Sequence, residues 1–156
     1  MLKRRHLLAA AAWVLFGGRA DAGSGLRGDS EPAETVAADD KAFMARALEL
    51  ARQGAERGDG TAYGAVVVRA GVIVGEGWNR SDLHNDATAH AETEAIRDAA
   101  RRLGTRDLGD CVLYTNGGRP CPMCETAAYW AGIRTLKLEG PDHTVDDAGP
   151  PIYGGC

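Results

Sequence analysis

His90-Ala91-Glu92, answered further along by Pro120-Cys121-Pro122-Met123-Cys124, is the pattern on which the reading of this chain turns. It offers one imidazole and two thiols, borderline-to-soft donors that suit Zn²⁺ better than Mg²⁺ or Ca²⁺. Beside them stands a carboxylate, Glu92, that is not needed as a ligand. Structural zinc sites close their tetrahedron with four protein ligands, whereas catalytic ones keep a position for water. Three ligands and a neighbouring base therefore point to an activated water and to hydrolysis. Alone, the Cys-x-x-Cys pair would equally suit a redox pair or half of a structural zinc knot. A closed zinc site with Cys111 or Cys156 as fourth ligand is the alternative.

The flanking sequence places these residues at helix starts. Thr88 reads as the N-cap of a helix whose apolar face is Ala95, Ile96, Ala99, Ala100 and Leu103, with His90 and Glu92 in its first turn. Pro120 precedes a second helix, beginning near Cys121, whose dipole and free N–H groups favour thiolate. Elsewhere, Asp39 or Asp40 is expected to cap a helix carrying Phe43, Ala47, Leu50 and Ala51, with Gly58 ending it. Runs at 65–68 and 72–74, separated by Ala70-Gly71, read as a hairpin, and further strands are expected at 111–115 and 135–138. Strands alternating with helices predict a layered α/β domain, with zinc where two helix N-termini meet at one edge of the sheet. Pro141, Pro150, Pro151 and several glycines argue against a regular helix after Leu138.

The stretch from about Asp39 to Gly140 resembles the cytidine deaminase superfamily, on its purine-base and tRNA-adenosine side. Gly75-Glu-Gly-Trp-Asn-Arg80 and Asn85-Asp-Ala-Thr-Ala-His-Ala-Glu92 are similar to bacterial tRNA adenosine deaminases. Cys111-Val-Leu-Tyr-Thr115, Cys121-Pro-Met-Cys124, Tyr129-Trp-Ala131 and Asp142-His-Thr144 look more like bacterial guanine deaminases. The paired His-x-Glu and Pro-Cys-x-x-Cys motifs are a signature of zinc deaminases. The resemblance implies a three-layer α/β/α fold with a mixed central sheet and a Zn²⁺ cofactor on His90, Cys121 and Cys124. It also implies that Glu92 shuttles the proton and that Asn79 contacts the base. The implied reaction is hydrolytic loss of ammonia from a small amino-bearing nucleobase or nucleoside, guanine first. Rival readings are an adenosine, cytosine or other aminoheterocycle deaminase, a secreted deaminase toxin, and a non-catalytic zinc-stabilised binding module. The family also implies a homodimer.

Two departures lie beside the site. Arg119 stands where the family has glutamate, and the link from Tyr114 to Cys121 is one residue longer and carries Gly117-Gly118. Arg119 reads as a solvent-facing replacement, with a new substrate contact as the alternative. Trp78, Tyr129 and Trp130 read as residues that pack in the core or at a subunit contact, with stacking on a base as the alternative, and His84 and His143 as surface histidines. Asp146 and Asp147 are alternatives for a base-recognising carboxylate, and Cys111 reads as a small buried hydrophobe.

The N-terminus speaks of destination. Lys3-Arg4-Arg5, the apolar run 7–16 and Ala20-Asp21-Ala22 form the charged, apolar and cleavage regions of a signal peptide. Arg4-Arg5 resembles a twin-arginine signal, an ordinary Sec signal being the alternative. Three segments follow: a signal peptide over 1–22, a flexible leader over 23–38 and the catalytic domain over 39–156. The chain carries 18 basic and 22 acidic residues. Loss of 1–22 removes four of the former (Lys3, Arg4, Arg5, Arg19) and one of the latter (Asp21), leaving 14 and 21 and a net charge of −7. Such a balance repels a phosphate backbone and favours a small-molecule substrate over nucleic acid.

Overall fold

A computed structural model describes residues 33–140 and 144–145, with the side chains of 33–38 and of 145 outside the description. The signal-peptide segment, His143, Asp146, Asp147 and Cys156 lie outside the described residues. In chain order the elements are α1 (Ala33–Arg57), β1 (Gly64–Arg69), β2 (Val72–Trp78), α2 (Ser81–His84), α3 (Ala91–Leu103), β3 (Cys111–Thr115), α4 (Pro122–Trp130), β4 (Thr135–Leu138) and β5 (Thr144–Val145). No helix among the described residues is long and apolar enough to cross a membrane.

The strands form one sheet in the order β2-β1-β3-β4-β5. β1 is antiparallel to both β2 and β3, whereas β3 and β4 are parallel and β5 returns antiparallel on β4. The sheet is mixed, as expected. Ala70 and Gly71 take up the hairpin turn with φ of 48° and 75°, the left-handed pair that matches strand twist in a two-residue turn.

Alternation along β1 splits the core into two faces. Ala65 and Val67 join Ala91, Ala95, Ala99, Leu113, Ala128, Ile133 and Leu136, which places α3 and α4 on one side. Val66 and Val68 join Leu50 and Tyr114, with Phe43 and Met44 of α1, on the other. Three layers result.

The helix starts differ from expectation at two places. α1 begins at Ala33, not at Asp39 or Asp40, because Ala-rich residues 33–38 propagate the helix and take in the last part of the expected leader. Asp40 instead ties the helix to the sheet, accepting from Tyr114 Oη at 2.6 Å and pairing with Lys137 Nζ at 3.3 Å. At the start of α3 the cap position falls on His90, not Thr88, and has no side-chain cap. Thr88 is occupied elsewhere, donating to Asp86 Oδ1 at 2.7 Å.

The topology positions the site. With β1 reversed between them, β2 and β3 run the same way, so the helices that follow both begin at one edge of the sheet, beside the start of β1. Gly77 brings α3 down on that edge: a Cβ there would lie 2.3 Å from Ala91 O and Ala95 N. Only a hydrogen lets the strand backbone approach the helix this closely.

Candidate active site

His90 is the N-cap of α3 and Cys121 the N-cap of α4, both in extended conformation, and Cys124 lies in the first turn of α4. Pro122 occupies the first turn of α4, where its missing N–H costs nothing. Neither helix start has a side-chain cap, so the backbone N–H groups of two first turns polarise the region between them.

The donor atoms form a triangle. His90 Nδ1 lies 3.6 Å from the Sγ of Cys121 and 3.6 Å from that of Cys124, and the two sulfurs are 3.6 Å apart. A tetrahedral Zn²⁺ with bonds of about 2.3 Å to sulfur and about 2.0–2.1 Å to nitrogen spaces its ligand atoms by roughly 3.6–3.8 Å. The electrostatics agree. Burial raises the Cys124 thiol far above its ordinary value, with the Glu92 carboxylate as the next cause and Cys121 adding to it. A positive charge held by all three residues would favour the thiolate at this sulfur. These three residues form the one metal-ligand cluster found among the described residues.

The alternative with Cys111 as a fourth ligand fails on position. Cys111 opens β3 at the far end from the triad, 3 % exposed in the core beneath α3 and α4. Its thiol is pushed up to about 11 by burial first and by the Asp110 carboxylate second.

Glu92 is buried in the first turn of α3 and borders the same cavity as His90 and Cys121. That cavity has a volume of about 330 Å³, near the lower end of ligand clefts. Asn79, 6 % exposed just beyond β2, also lines it. Ser81 donates to Asn79 Oδ1 from both N (2.9 Å) and Oγ (2.7 Å), and Asn79 Nδ2 donates to Thr61 Oγ1 at 2.9 Å. One N–H of the amide is left over. All the sequence-derived site residues, His90, Glu92, Cys121, Cys124 and Asn79, thus gather at one sheet edge.

Sequence reasoning missed Thr61, Tyr63 and Asn116, which complete the cavity wall. Tyr63 is the aromatic ring on that wall and is half exposed. The sequence gives one hint of it: an aromatic immediately before a buried β-branched strand, at the end where the metal ligands converge. By contrast Trp78 is held in place, donating from Nε1 to Asp59 Oδ2 at 2.7 Å with the Arg80 guanidinium 3.7 Å from its ring centre. Tyr129 and Trp130 stack edge-on away from the cavity, and His84 sits on α2 outside it. A larger cavity of about 420 Å³ lies between α1 and the β4–β5 edge, lined by Asp40, Lys41, Tyr114 and Lys137. It contains neither triad nor Glu92, so the chemistry belongs to the smaller one.

The profile of the cytidine and deoxycytidylate deaminase zinc-binding region matches residues 37–139. The chain belongs to this family. The deaminase is 50 % identical over 107 residues to the guanine deaminase of Bacillus subtilis, which covers 69 % of this chain and 68 % of that protein. It is 40 % identical over 100 residues to the tRNA-specific adenosine deaminase of Aquifex aeolicus, covering 64 % and 65 %. The crystal structure of the B. subtilis guanine deaminase superposes with a TM-score of 0.61 at 45 % identity, over 64 % of this chain and 63 % of that one. The deaminase therefore spans about two thirds of the length of these relatives. It is a zinc-dependent hydrolase, and His90, Cys121 and Cys124 are the residues that would hold the ion.

Proposed function

We propose that this deaminase converts free guanine and water to xanthine and ammonia. The observation that carries the reading is the 50 % identity to a guanine deaminase across the region bearing the site, against 40 % to a tRNA deaminase. The small cavity and the acidic balance of the chain after residue 22 support it over a polynucleotide substrate.

His90, Cys121 and Cys124 would hold the zinc, which would supply a Lewis acid able to lower the pKa of water from about 15.7 to about 7. The remaining work falls to the protein. Glu92 is placed to accept one proton of the water on its carboxylate and hand it to the ring nitrogen, and then to pass the second to the departing amine. A C2–O bond forms and the C2–NH₂ bond breaks, the nitrogen leaving as ammonia. Asn79 offers its remaining amide N–H to the base, its orientation fixed because Ser81 occupies the oxygen. Burial of Glu92 and Asn79 keeps bulk water from competing for these bonds.

Ammonia release by the zinc-loaded chain from guanine, adenine, adenosine, cytosine and a tRNA anticodon stem-loop tests the assignment. Guanine is expected to lead by at least about tenfold in kcat/KM. A preference for the stem-loop would overturn the free-base reading.

We further propose that the enzyme is exported and works as a homodimer. Lys3-Arg4-Arg5 ahead of the 7–16 apolar run supports export, and the resemblance to a family of dimers, with Trp130 57 % exposed at the end of α4, supports a contact between copies. Fractionating producing cells, then sedimenting the recovered enzyme, reads both. Full-length protein confined to the cytoplasm, or a monomer, would remove the corresponding half.

A further inference from the structure

Arg119 stands two residues before Cys121 and borders the metal-site cavity. Its guanidinium is held by one edge: Nε donates to Glu125 Oε2 at 3.2 Å and Nη2 donates to Glu125 Oε1. Glu125 lies in the first turn of α4, directly after Cys124, so the clamp is anchored to the element that carries two metal ligands. The other edge, Nη1 with the second N–H of Nη2, has no protein acceptor among the described residues.

The loop bearing Arg119 is fastened at its other end too. Asn116 Oδ1 accepts from Gly64 N at 2.6 Å, Asn116 Nδ2 donates to Ala62 O at 3.1 Å, and Gly117 N donates to Glu139 Oε2 at 3.2 Å. Gly117, at φ +100°, lies against the Tyr63 ring so closely that a Cβ would come within 3.0 Å of it. The extra loop residue thus does not leave the rim slack. Arg119 itself is largely exposed, with 63 % of its side chain accessible. An exposed ion pair of this kind adds little stability, so stability does not account for it. A two-point clamp on a planar guanidinium sets the direction of the free edge.

We propose that Arg119, oriented by Glu125, is a specificity-determining residue that reads the O6/N7 edge of the purine. The inference rests on the guanine reading above. A purine presenting its C2 amino group to the triad carries O6 and N7 on the opposite side of the bicycle. Those two acceptors are the pair that an arginine fork matches, whereas an amino group in place of O6 sets donor against donor. The Arg119–Glu125 pair is neutral in sum, so it recognises the edge without adding net charge near the cation. Glu125 acts through Arg119 and is a positioning residue.

Two measurements on the zinc-loaded full chain test this, with Arg119→Gln, Arg119→Lys and Glu125→Gln. The first is turnover of guanine against 2-aminopurine, which keeps the C2 amino group but lacks O6. In Arg119→Gln, kcat/KM for guanine is expected to fall about 10–100-fold, the scale of a charged hydrogen bond, with 2-aminopurine changing less than about threefold. Arg119→Lys should retain part of the difference, and Glu125→Gln should narrow it by less than Arg119→Gln. The second is calorimetric binding of hypoxanthine against purine, which involves no turnover: the wild-type preference for hypoxanthine should vanish in Arg119→Gln. Equal losses on both substrates, or an unchanged hypoxanthine preference, would overturn the role of Arg119. A wild-type enzyme that ignores guanine but loses its hypoxanthine preference on Arg119→Gln would overturn the substrate assignment and leave Arg119 as the reader of the edge.

Discussion

Exchanging Glu92 for glutamine is expected to lower kcat for guanine by about 10²–10⁴-fold, the range that a positioned general acid–base supplies, while zinc content stays that of the wild type. Glutamine keeps the length and shape of the side chain, so the first turn of α3 and the placing of His90 beside it are preserved. What disappears is a group that can take a proton from water and then surrender it. The expected split therefore lies in kcat, with KM for guanine moving little, because the proton transfers belong to the transition state and not to ground-state binding. Removing the Glu92 charge also removes one of the causes that raise the Cys124 thiol. Metal analysis alongside ammonia release separates the two effects. An enzyme with full zinc and near wild-type turnover would show that the proton is carried by another group, and the mechanism proposed for Glu92 would fail. A variant that turned over slowly only because it had lost zinc would show the carboxylate to be a support for the ion.

The features legible in the sequence were those encoded locally. The β-branched runs bounded by turn residues marked the hairpin and the strands Cys111–Thr115 and Thr135–Leu138, and Gly58 marked the end of α1. The ligand triad was legible because zinc chemistry restricts both residue type and spacing. Helix starts were less so. Asp39, Asp40 and Thr88 have side chains suited to capping, but each site was decided by something a local pattern does not hold. The alanines before Asp39 extend α1, Asp40 is claimed by Tyr114 and Lys137 across the sheet, and Asp86 claims Thr88.

The cavity wall was the least legible part, for a topological reason. Thr61, Tyr63 and Asn116 meet Asn79 and His90 only because β1 runs antiparallel between β2 and β3, which brings its start to their ends. Tyr63, placed just before a buried β-branched strand, hints at a position at a strand end, but the residues around it do not announce that neighbour set. Arg119 reads from the sequence as a solvent-facing arginine, and its 63 % exposed side chain agrees; what the sequence does not hold is the two-point contact with Glu125, in the first turn of α4. Membership of the zinc-binding family supports the metal ligands but says nothing of this pair.

Replacing Cys124 with serine is expected to abolish zinc binding and, with it, measurable deamination. Cys124 is wholly buried, so serine, close to it in size, leaves the packing of α4 nearly unchanged and isolates the loss of the thiolate. The buried hydroxyl is a poor ligand for a borderline-soft ion, and two remaining ligands do not hold Zn²⁺ as three do. Zinc content is expected to drop from about one ion per chain to less than about a tenth. Two consequences separate this from simple unfolding. The melting temperature of the wild-type enzyme should fall on treatment with a chelator, because binding energy of the ion is folding energy, whereas that of Cys124→Ser should already be lower and respond no further. Cys111→Ser provides the contrast: it places the same hydroxyl in the same core, at a cost of about 1–3 kcal/mol, yet should keep its zinc because Cys111 lies at the other end of β3. The pH dependence has a definite sign. Burial and the Glu92 carboxylate raise the Cys124 thiol in the absence of a cation, so the proton competes with zinc for the sulfur, and the ion should be released as the pH falls. If Cys124→Ser held a full complement of zinc and deaminated guanine at the wild-type rate, the triangle of His90, Cys121 and Cys124 would not be the metal site, and the activated water would have to be sought elsewhere in the fold.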